Sequence, residues 1–420
     1  MGELRTKKRG KKWEYSFEGP RINGKRTSIS KGGFRTKAEA VDAGTKAKAE
    51  YDSTGAVFRA SDQSVSDYMD FWLEGHVKTH FAYNTYDAYE TTIRLHIKPA
   101  FGSYKLSALT PAVIQMWIDD LKEKKGLSRQ SIANFRGVLS SALNYAVYPC
   151  EFLKQNPCAC TTVPKIAVTP ERKAHTEYIC GSEEWHHIEG YFRGTAYYLP
   201  LMICYHTGVR IGECFGIDFN TDIDFEKHTL SINRQLQKEN GDWIYKYPKY
   251  HSIRTLRIGP TLEQAIRSAL TAYRLNRLKY GRYYTRTYVD QEQRIHCLPA
   301  DQIAPERYRE IQPLVKENGE MLNTASIKYI SRIIKSKLGY TLFHPHCLRH
   351  THGTILAENG ASPKTIMERL GHKNIQVTME RYVFNTEKMQ EEAANIFESA
   401  LSGSHFEKNL STAQKTVDKR

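Results

Sequence analysis

Long apolar runs are missing from this 420-residue chain. With no stretch of about 18 consecutive apolar residues, no membrane-spanning helix is expected. The basic opening from Met1 to Lys12 lacks the apolar segment that would make it a secretory signal. Paired CxxC spacings are also missing. The eight cysteines, Cys150, Cys158, Cys160, Cys180, Cys204, Cys214, Cys297 and Cys347, are scattered, as in a cytoplasmic protein with reduced thiols rather than a disulfide frame or zinc ribbon. Acidic residues are in short supply, 46 against 61 Lys and Arg, which leaves a net charge of +15. What is present is core-building material: 40% hydrophobic residues, with 26 tyrosines and 16 phenylalanines, which excludes a mainly disordered chain. At roughly 150 residues per domain the length suggests two or three domains, and no internal repeat is visible.

The charge is concentrated at one end. Residues 1–50 carry 14 Lys and Arg against 6 Asp and Glu. Such a surplus fits phosphate contacts or simply a solvated face. Trp13, Tyr15 and Phe17 alternate with polar residues as in a half-buried strand. Asn23-Gly24 predicts a tight hairpin turn, with Lys25 to Ser30 as the return strand and Gly32-Gly33 ending the sheet. Thr36-x-x-Glu39 reads as a capping box, and Ala40, Ala43, Ala47 and Tyr51 give the following helix a narrow apolar stripe. The expectation is a small three-stranded β-sheet plus helix over 1–58. Lys7, Lys8, Arg9, Lys11, Lys12, Arg21, Lys25, Arg26 and Lys31 would contact DNA, the basic ribbon entering the major groove.

After Gly55 to Ser64 the period changes to 3.6, and residues 64–158 predict an all-α domain of four helices. Val65, Tyr68, Met69 and Trp72 share one face, as do Tyr86, Tyr89, Ile93 and Ile97. Thr110 caps and Pro111 opens a third helix burying Val113, Met116 and Trp117. Ser128 caps a fourth, with Ile132, Phe135, Leu139 and Leu143 inside and Asn156-Pro157 closing it. Lys78, Arg94, Lys98, Lys122, Lys124, Lys125, Arg129 and Arg136 lie on outer faces, within reach of a DNA backbone. An extended basic connector is expected at 159–176. A mixed, mainly α domain with a small β-sheet follows at 177–401. Its elements begin with a helix near Arg193 to His206, then strands at Thr229 to Leu236, Trp243 to Tyr247 and Arg254 to Ile258, with helices resuming from Thr261. Residues 402–420 read as a flexible tail.

Four short segments in this third region carry chemistry. In His206-Thr-Gly-Val-Arg210-Ile-Gly-Glu213, Gly208 permits a tight turn and Glu213 can orient the Arg210 guanidinium, although such a pair is often only a surface ion pair. In His344-Pro-His346-Cys-Leu-Arg349-His350-Thr-His352, positions 346 and 349 share a helix face, so an imidazole and a guanidinium can meet one phosphate. Four histidines also raise the possibility of a metal, but Arg349 sits where the metallo-hydrolase pattern needs a histidine, and it would repel a cation. Leu370-Gly371-His372 presents a histidine at a glycine turn, where a cap or a core histidine is the plainer reading. Tyr382 stands ten residues beyond His372. Together the two arginines, the histidines, a tyrosine and a lysine-bearing β-turn suit phosphoryl transfer with an oxygen nucleophile, guanidinium groups holding the charge of the five-coordinate state.

In order and spacing these segments resemble the tyrosine recombinases, the phage integrase family, most closely integrases of conjugative transposons. HTGVRIGE resembles the first arginine box, HCLRHT the His-x-x-Arg box, LGH the third, and Tyr382 the nucleophile; the likeness spans nearly the whole chain. It implies that Arg210 and Arg349 hold the scissile phosphate while Tyr382 attacks it to form a 3′-phosphotyrosyl link. It also implies that His346 and His372 assist proton transfer and that a β-turn lysine protonates the leaving 5′ oxygen. That lysine is placed at Lys249, within Pro248-Lys249-Tyr250-His251-Ser252-Ile253-Arg254. A threonine usual after it is missing, which leaves Lys246 as a competitor, and Cys347 replaces a usual aspartate. The resemblance further implies double-stranded DNA as partner, a homotetramer on DNA, an excision factor or host bending protein as possible helpers, and no metal, ATP or other cofactor. Met389, Ala393, Ile396, Phe397 and Ala400 form a stripe on a last helix, which would dock on the neighbouring protomer or cover its own core. Two other readings compete with a recombinase: a non-catalytic DNA-binding regulator, and a metal-dependent nuclease.

Overall fold

The computed structural model describes residues 3–22, 25–54, 62–165 and 178–376, with 391, 394–395 and 397–399. The chain divides into two compact units, 1–167 and 168–420. No helix among the described residues is long and apolar enough to cross a membrane.

The first unit opens with an antiparallel sheet in the order β1 (Arg5–Arg9), β2 (Lys12–Ile22), β3 (Lys25–Phe34). Alternation along β2 turns Tyr15 and Phe17 onto helix α1 (Lys37–Thr54), where they meet Ala47, Ala43 and Tyr51. The Thr36 hydroxyl accepts from the Glu39 amide (3.2 Å) as expected of the cap, but the Glu39 carboxylate accepts from the Arg35 amide (2.9 Å) instead of from that of Thr36, so only half of the expected box forms. Gly32-Gly33 does not end the sheet. β3 continues to Phe34, and the register slips by one residue opposite Trp13 and Glu14, with Gly33 at φ 106° absorbing the bulge. Lys7, Lys8, Arg9, Lys11, Lys12 and Lys31 are exposed, and Arg9 pairs with Glu14 at 2.8 Å. The side chains of Arg21, Lys25 and Arg26, and the Asn23-Gly24 turn, lie outside the described residues.

Four helices follow. α2 runs through Val65–Trp72, Leu73–Val77 and Lys78–His80, and α3 through Tyr83–Thr92, Ile93–Ile97 and Lys98–Phe101, each with a π-helical turn in its middle. α4 (Pro111–Glu123) and α5 (Arg129–Val147) are capped by Thr110 and Ser128, whose side chains accept from the Val113 and Ser131 amides. Val65, Tyr68, Met69, Trp72, Ile93, Ile97, Ile132, Leu139 and Leu143 form the core. Met116 departs from expectation: it is 68% exposed, while Ile114, Trp117, Ile118 and Leu121 carry the buried face of α4. Arg136 is also structural rather than outward-facing, donating to the Cys158 carbonyl (2.6 Å) and to Thr161 (2.8 Å).

In the second unit α6 (Ser182–Phe192) and α7 (Tyr198–Thr207) replace the single helix expected near 193–206. Arg193 leaves the helical region at ψ 132° and Gly194 sits at φ 80°, which separates them. A short helix, α8 (Ile211–Cys214), precedes the strands β4 (Ile223–Asp224), β5 (Thr229–Ile232), β6 (Gln235–Glu239), β7 (Asp242–Lys246) and β8 (Arg254–Arg257). Then come α9 (Pro260–Tyr280), β9 (Thr285–Val289), β10 (Ile295–Pro299) and β11 (Arg309–Ile311), followed by α10 (Thr324–Lys337), α11 (Cys347–Glu358) and α12 (Pro363–Leu370). The expected single small sheet is instead three among the described residues: β4-β5-β8, the hairpin β6-β7, and β10-β9-β11. A large hydrophobic core, built from residues such as Trp185, Phe192, Ile203, Phe215, Ile266 and Phe343, packs most of the helices against them, and a separate small cluster of Ala357, Ile366 and Leu370 joins α11 to α12. All eight cysteines are free thiols; Cys160 and Cys297 alone are exposed.

Candidate active site

The site is assembled at the ends of three helices. α7 ends at Gly208, left-handed at φ 64°, and Arg210 follows in extended conformation as the cap of α8. The Glu213 carboxylate accepts from the Arg210 backbone amide (2.9 Å) and from its Nη1 (2.8 Å), so one buried acid both closes the turn and aims the guanidinium. Arg210 Nη2 donates to the carbonyl of Gly371 at 2.9 Å. Gly371 is the left-handed cap of α12 at φ 69°, immediately before the half-buried His372. Arg349 lies in the first turn of α11, 2% exposed, and its Nη1 donates to the Gly208 carbonyl at 2.7 Å. Each arginine therefore grips the glycine turn of another segment.

Neither glycine tolerates a side chain. A Cβ at Gly208 would stand 2.8 Å from the His352 ring and 2.6 Å from Leu370, and one at Gly371 would stand 2.9 Å from the Arg254 guanidinium. His346 occupies the cap position of α11, exposed, with its ring edge-on to His350 at 4.8 Å. The helix start thus carries His346 outward and Arg349 inward.

Lys249 sits in the turn between β7 and β8, where Tyr250 and His251 both adopt positive φ (62° and 51°). The Lys249 ammonium lies 5.3 Å from the Tyr250 ring centre, and that of Lys373 lies 5.7 Å from it. Tyr250, Ser252, Arg254, Gly371 and His372 line a cleft of about 300 Å³, so this turn borders the His372 segment. The competitor Lys246 is paired instead with Glu239 across the β6-β7 hairpin at 3.1 Å. Tyr382 lies outside the described residues, as do Met389, Ala393, Ile396 and Ala400 of the last apolar stripe; Phe397 is 63% exposed.

Three residues of the site were given no role by the sequence reading. Arg254 donates Nη2 to Glu213 (2.8 Å), Nε to the Arg369 carbonyl (2.8 Å) and Nη1 to the Ser252 carbonyl (3.0 Å). Arg369 donates to His352 Nε2 (3.0 Å) and to the carbonyls of Arg257 (3.1 Å) and His206 (3.2 Å), while His352 Nδ1 meets the Tyr205 carbonyl at 2.9 Å. Spacing held a signal: Arg369 is three residues from buried Ile366, and His352 four from buried Leu348, so both sit on inward faces.

Electrostatics follow from this burial. Desolvation alone would raise the Glu213 carboxyl, but the Arg254 and Arg210 guanidinium groups outweigh it and hold the acid below its ordinary range. Burial, reinforced by Arg369, pushes His352 down to about 4, so its imidazole is neutral and accepts from Arg369. Cys347, where aspartate would be usual, is a buried neutral thiol raised to about 12 by desolvation. Among the described residues no three His, Cys, Asp or Glu side chains converge as metal ligands. What the site offers an incoming group is guanidinium and imidazole donors, a set suited to a phosphodiester.

Residues 191–389 match the phage integrase family, residues 64–122 the phage integrase N-terminal SAM-like domain, and residues 5–51 the arm DNA-binding domain. A tyrosine recombinase XerC-like protein of Caldanaerobacter subterraneus subsp. tengcongensis is 30% identical over 339 residues, 76% of this chain and 79% of its own. The transposase from transposon Tn916 of Enterococcus faecalis is 24% identical over 69% of this chain and 66% of its own. Among solved structures, the Tn1549 transposon integrase in complex with circular intermediate DNA superposes with a TM-score of 0.60 at 19% identity, over 79% of this chain and 99% of that one. A lambda integrase dimer bound to a COC′ core site gives 0.50 at 16% identity, over 90% and 94%. The two superpositions establish a shared fold.

Proposed function

The chain belongs to the phage integrase family of tyrosine recombinases, and on that premise we propose how its residues carry out the reaction. It is a site-specific recombinase, an enzyme that exchanges DNA strands. Its substrates are the ends of a mobile element, a conjugative transposon or a prophage, together with the target duplex.

Arg210 and Arg349 neutralise the non-bridging oxygens of the scissile phosphate, charge that grows as phosphorus becomes five-coordinate. The Tyr382 phenol, with an ordinary pKa of about 10, gives up its proton to a base as its oxygen bonds to phosphorus, the role assigned to His346 and His372 of the motif set. The bond from phosphorus to the 5′ oxygen breaks, and Lys249 Nζ delivers a proton to that leaving oxygen. One phosphodiester becomes one phosphotyrosine, nearly without energy change, so rejoining needs no ATP or metal. The observation that carries this reading is the successive grip of Arg349 on Gly208 and of Arg210 on Gly371, which draws three of the motif segments into one place.

The division of labour is also proposed. Residues 1–58 bind arm-type sites through the exposed lysines of the sheet, 64–158 bind core sites, 159–176 connect, 177–401 catalyse, and 402–420 form a tail. Four protomers act together in the cytoplasm, as a structural neighbour, a lambda integrase tetramer bound to a Holliday junction, exemplifies at a TM-score of 0.50.

A nicked suicide duplex tests the chemistry. The expected result in EDTA is a covalent protein–DNA adduct that Tyr382→Phe abolishes while duplex binding persists. No adduct from the parent protein would leave a DNA-binding regulator, and free ends that need a divalent cation would mean a nuclease.

A further inference from the structure

Arg254 lies outside the set to which the reaction has been assigned, yet it holds that set together. Its side chain is 9% exposed, and its three guanidinium nitrogens reach three segments. Nη2 pairs with the Glu213 carboxylate that aims Arg210, at 2.8 Å. Nε donates to the Arg369 carbonyl (2.8 Å), two residues before the Gly371 turn and three before His372. Nη1 donates to the Ser252 carbonyl (3.0 Å), which closes the far side of the Lys249 turn. That turn carries Tyr250 and His251 at positive φ, an arrangement that side-chain-bearing residues keep only when their surroundings fix it.

We infer that Arg254 is a positioning residue for the leaving-group proton: it fixes the Lys249 turn against the His372 segment, so that the ammonium group meets the departing 5′ oxygen. This rests on the assignment of Lys249 as general acid. A planar fork sends donors from three separate nitrogens at fixed angles to three acceptors, whereas an ammonium group presents its donors from a single nitrogen on a flexible stem. Arg254→Lys therefore keeps a positive charge beside buried Glu213 but surrenders the registration of the turn.

The test compares two nicked substrates in the full chain: the ordinary one, and one whose 5′ bridging oxygen is replaced by sulfur. A thiolate departs without needing a proton, since thiols ionise near pH 8.5 whereas alcohols do not ionise in water's range. Arg254→Lys is expected to bind duplex like the parent, to form adduct about 100-fold more slowly on the oxygen substrate, the scale of a lost general acid, and to approach the parent rate on the sulfur substrate. Equal slowing on both substrates, or no slowing on either, would overturn the inference. Lys249→Ala runs alongside. If sulfur fails to rescue that variant, the assignment of Lys249 falls. If sulfur rescues it but not Arg254→Lys, only the role of Arg254 falls. Should Arg254→Lys lose duplex binding, Arg254→Gln, which retains amide donors, is read by the same two-substrate ratio, and the same outcomes decide.

Discussion

Glu213 and His352 are neighbours of the chemistry whose charge states are set from opposite directions. The carboxylate survives burial because two guanidinium groups face it, and the imidazole stays neutral because burial and Arg369 both oppose a proton. A histidine lowered to about 4 in the folded protein costs stability in acid: as pH falls below the ordinary 6.5 the unfolded chain takes up the proton first. Stability is therefore complete above pH 6.5 and lost progressively towards pH 4, by about 3 kcal/mol. Glu213, also depressed, adds to the loss only below its ordinary 4.5, while His76, His96 and His206, lowered by burial as well, contribute beside His352 in the window between. In thermal melts of the full chain between pH 7 and 4.5, His352→Gln is expected to flatten the dependence; parallel curves for the two proteins would refute it. The turns and helix ends that carry Arg210, Glu213, Arg349 and His372 were legible in sequence because tight turns and helix spacing announce themselves locally. Spacing marked Arg369 and His352 as inward-facing, but the roles of Arg254, Arg369 and His352 were not legible, because their partners are a carboxylate, carbonyls and a ring contributed largely by distant segments.

At the scale of elements, the face a helix buries is decided by its neighbours as well as its period. In α4 the stripe that includes Met116 competes with one through Ile114, Ile118 and Leu121, and the structure buries the second. Ile114→Ala is thus expected to cost about 2–5 kcal/mol and Met116→Ala less than about 0.5 kcal/mol. Full-chain denaturation should show the difference, and a comparable loss from both would contradict this packing. The run from Thr229 to Leu236 reads as one strand in sequence but is cut between β5 and β6. There Asn233 and Arg234 turn aside to the buried Asp222 carboxylate, at 3.1 and 3.0 Å. Strands β9 to β11 leave no clear mark in the sequence; they are three to five residues long and carry polar side chains, so no sustained alternation announces them.

For the whole molecule, the composition was informative about partners and silent about how the parts are arranged. The net charge of +15 and its crowding into the first 50 residues point to a polyanion, and the exposed lysines of β1 and β2 give the attraction a surface. Replacing Lys7, Lys8, Lys11 and Lys12 by alanine is expected to reduce the salt dependence of arm-site binding, by up to about 0.9 in log–log slope for each phosphate no longer neutralised. Core-site binding should keep its slope; an unchanged arm-site slope would remove these residues from the interface. The distribution of thiols has a practical corollary. Five are buried and Cys150 is half-buried, while Cys160 and Cys297 stand open, one on either side of the boundary near residue 167. The unaltered polypeptide thus already carries a pair of attachment points for maleimide dyes, and energy transfer between them can follow the separation of its halves as a duplex is engaged.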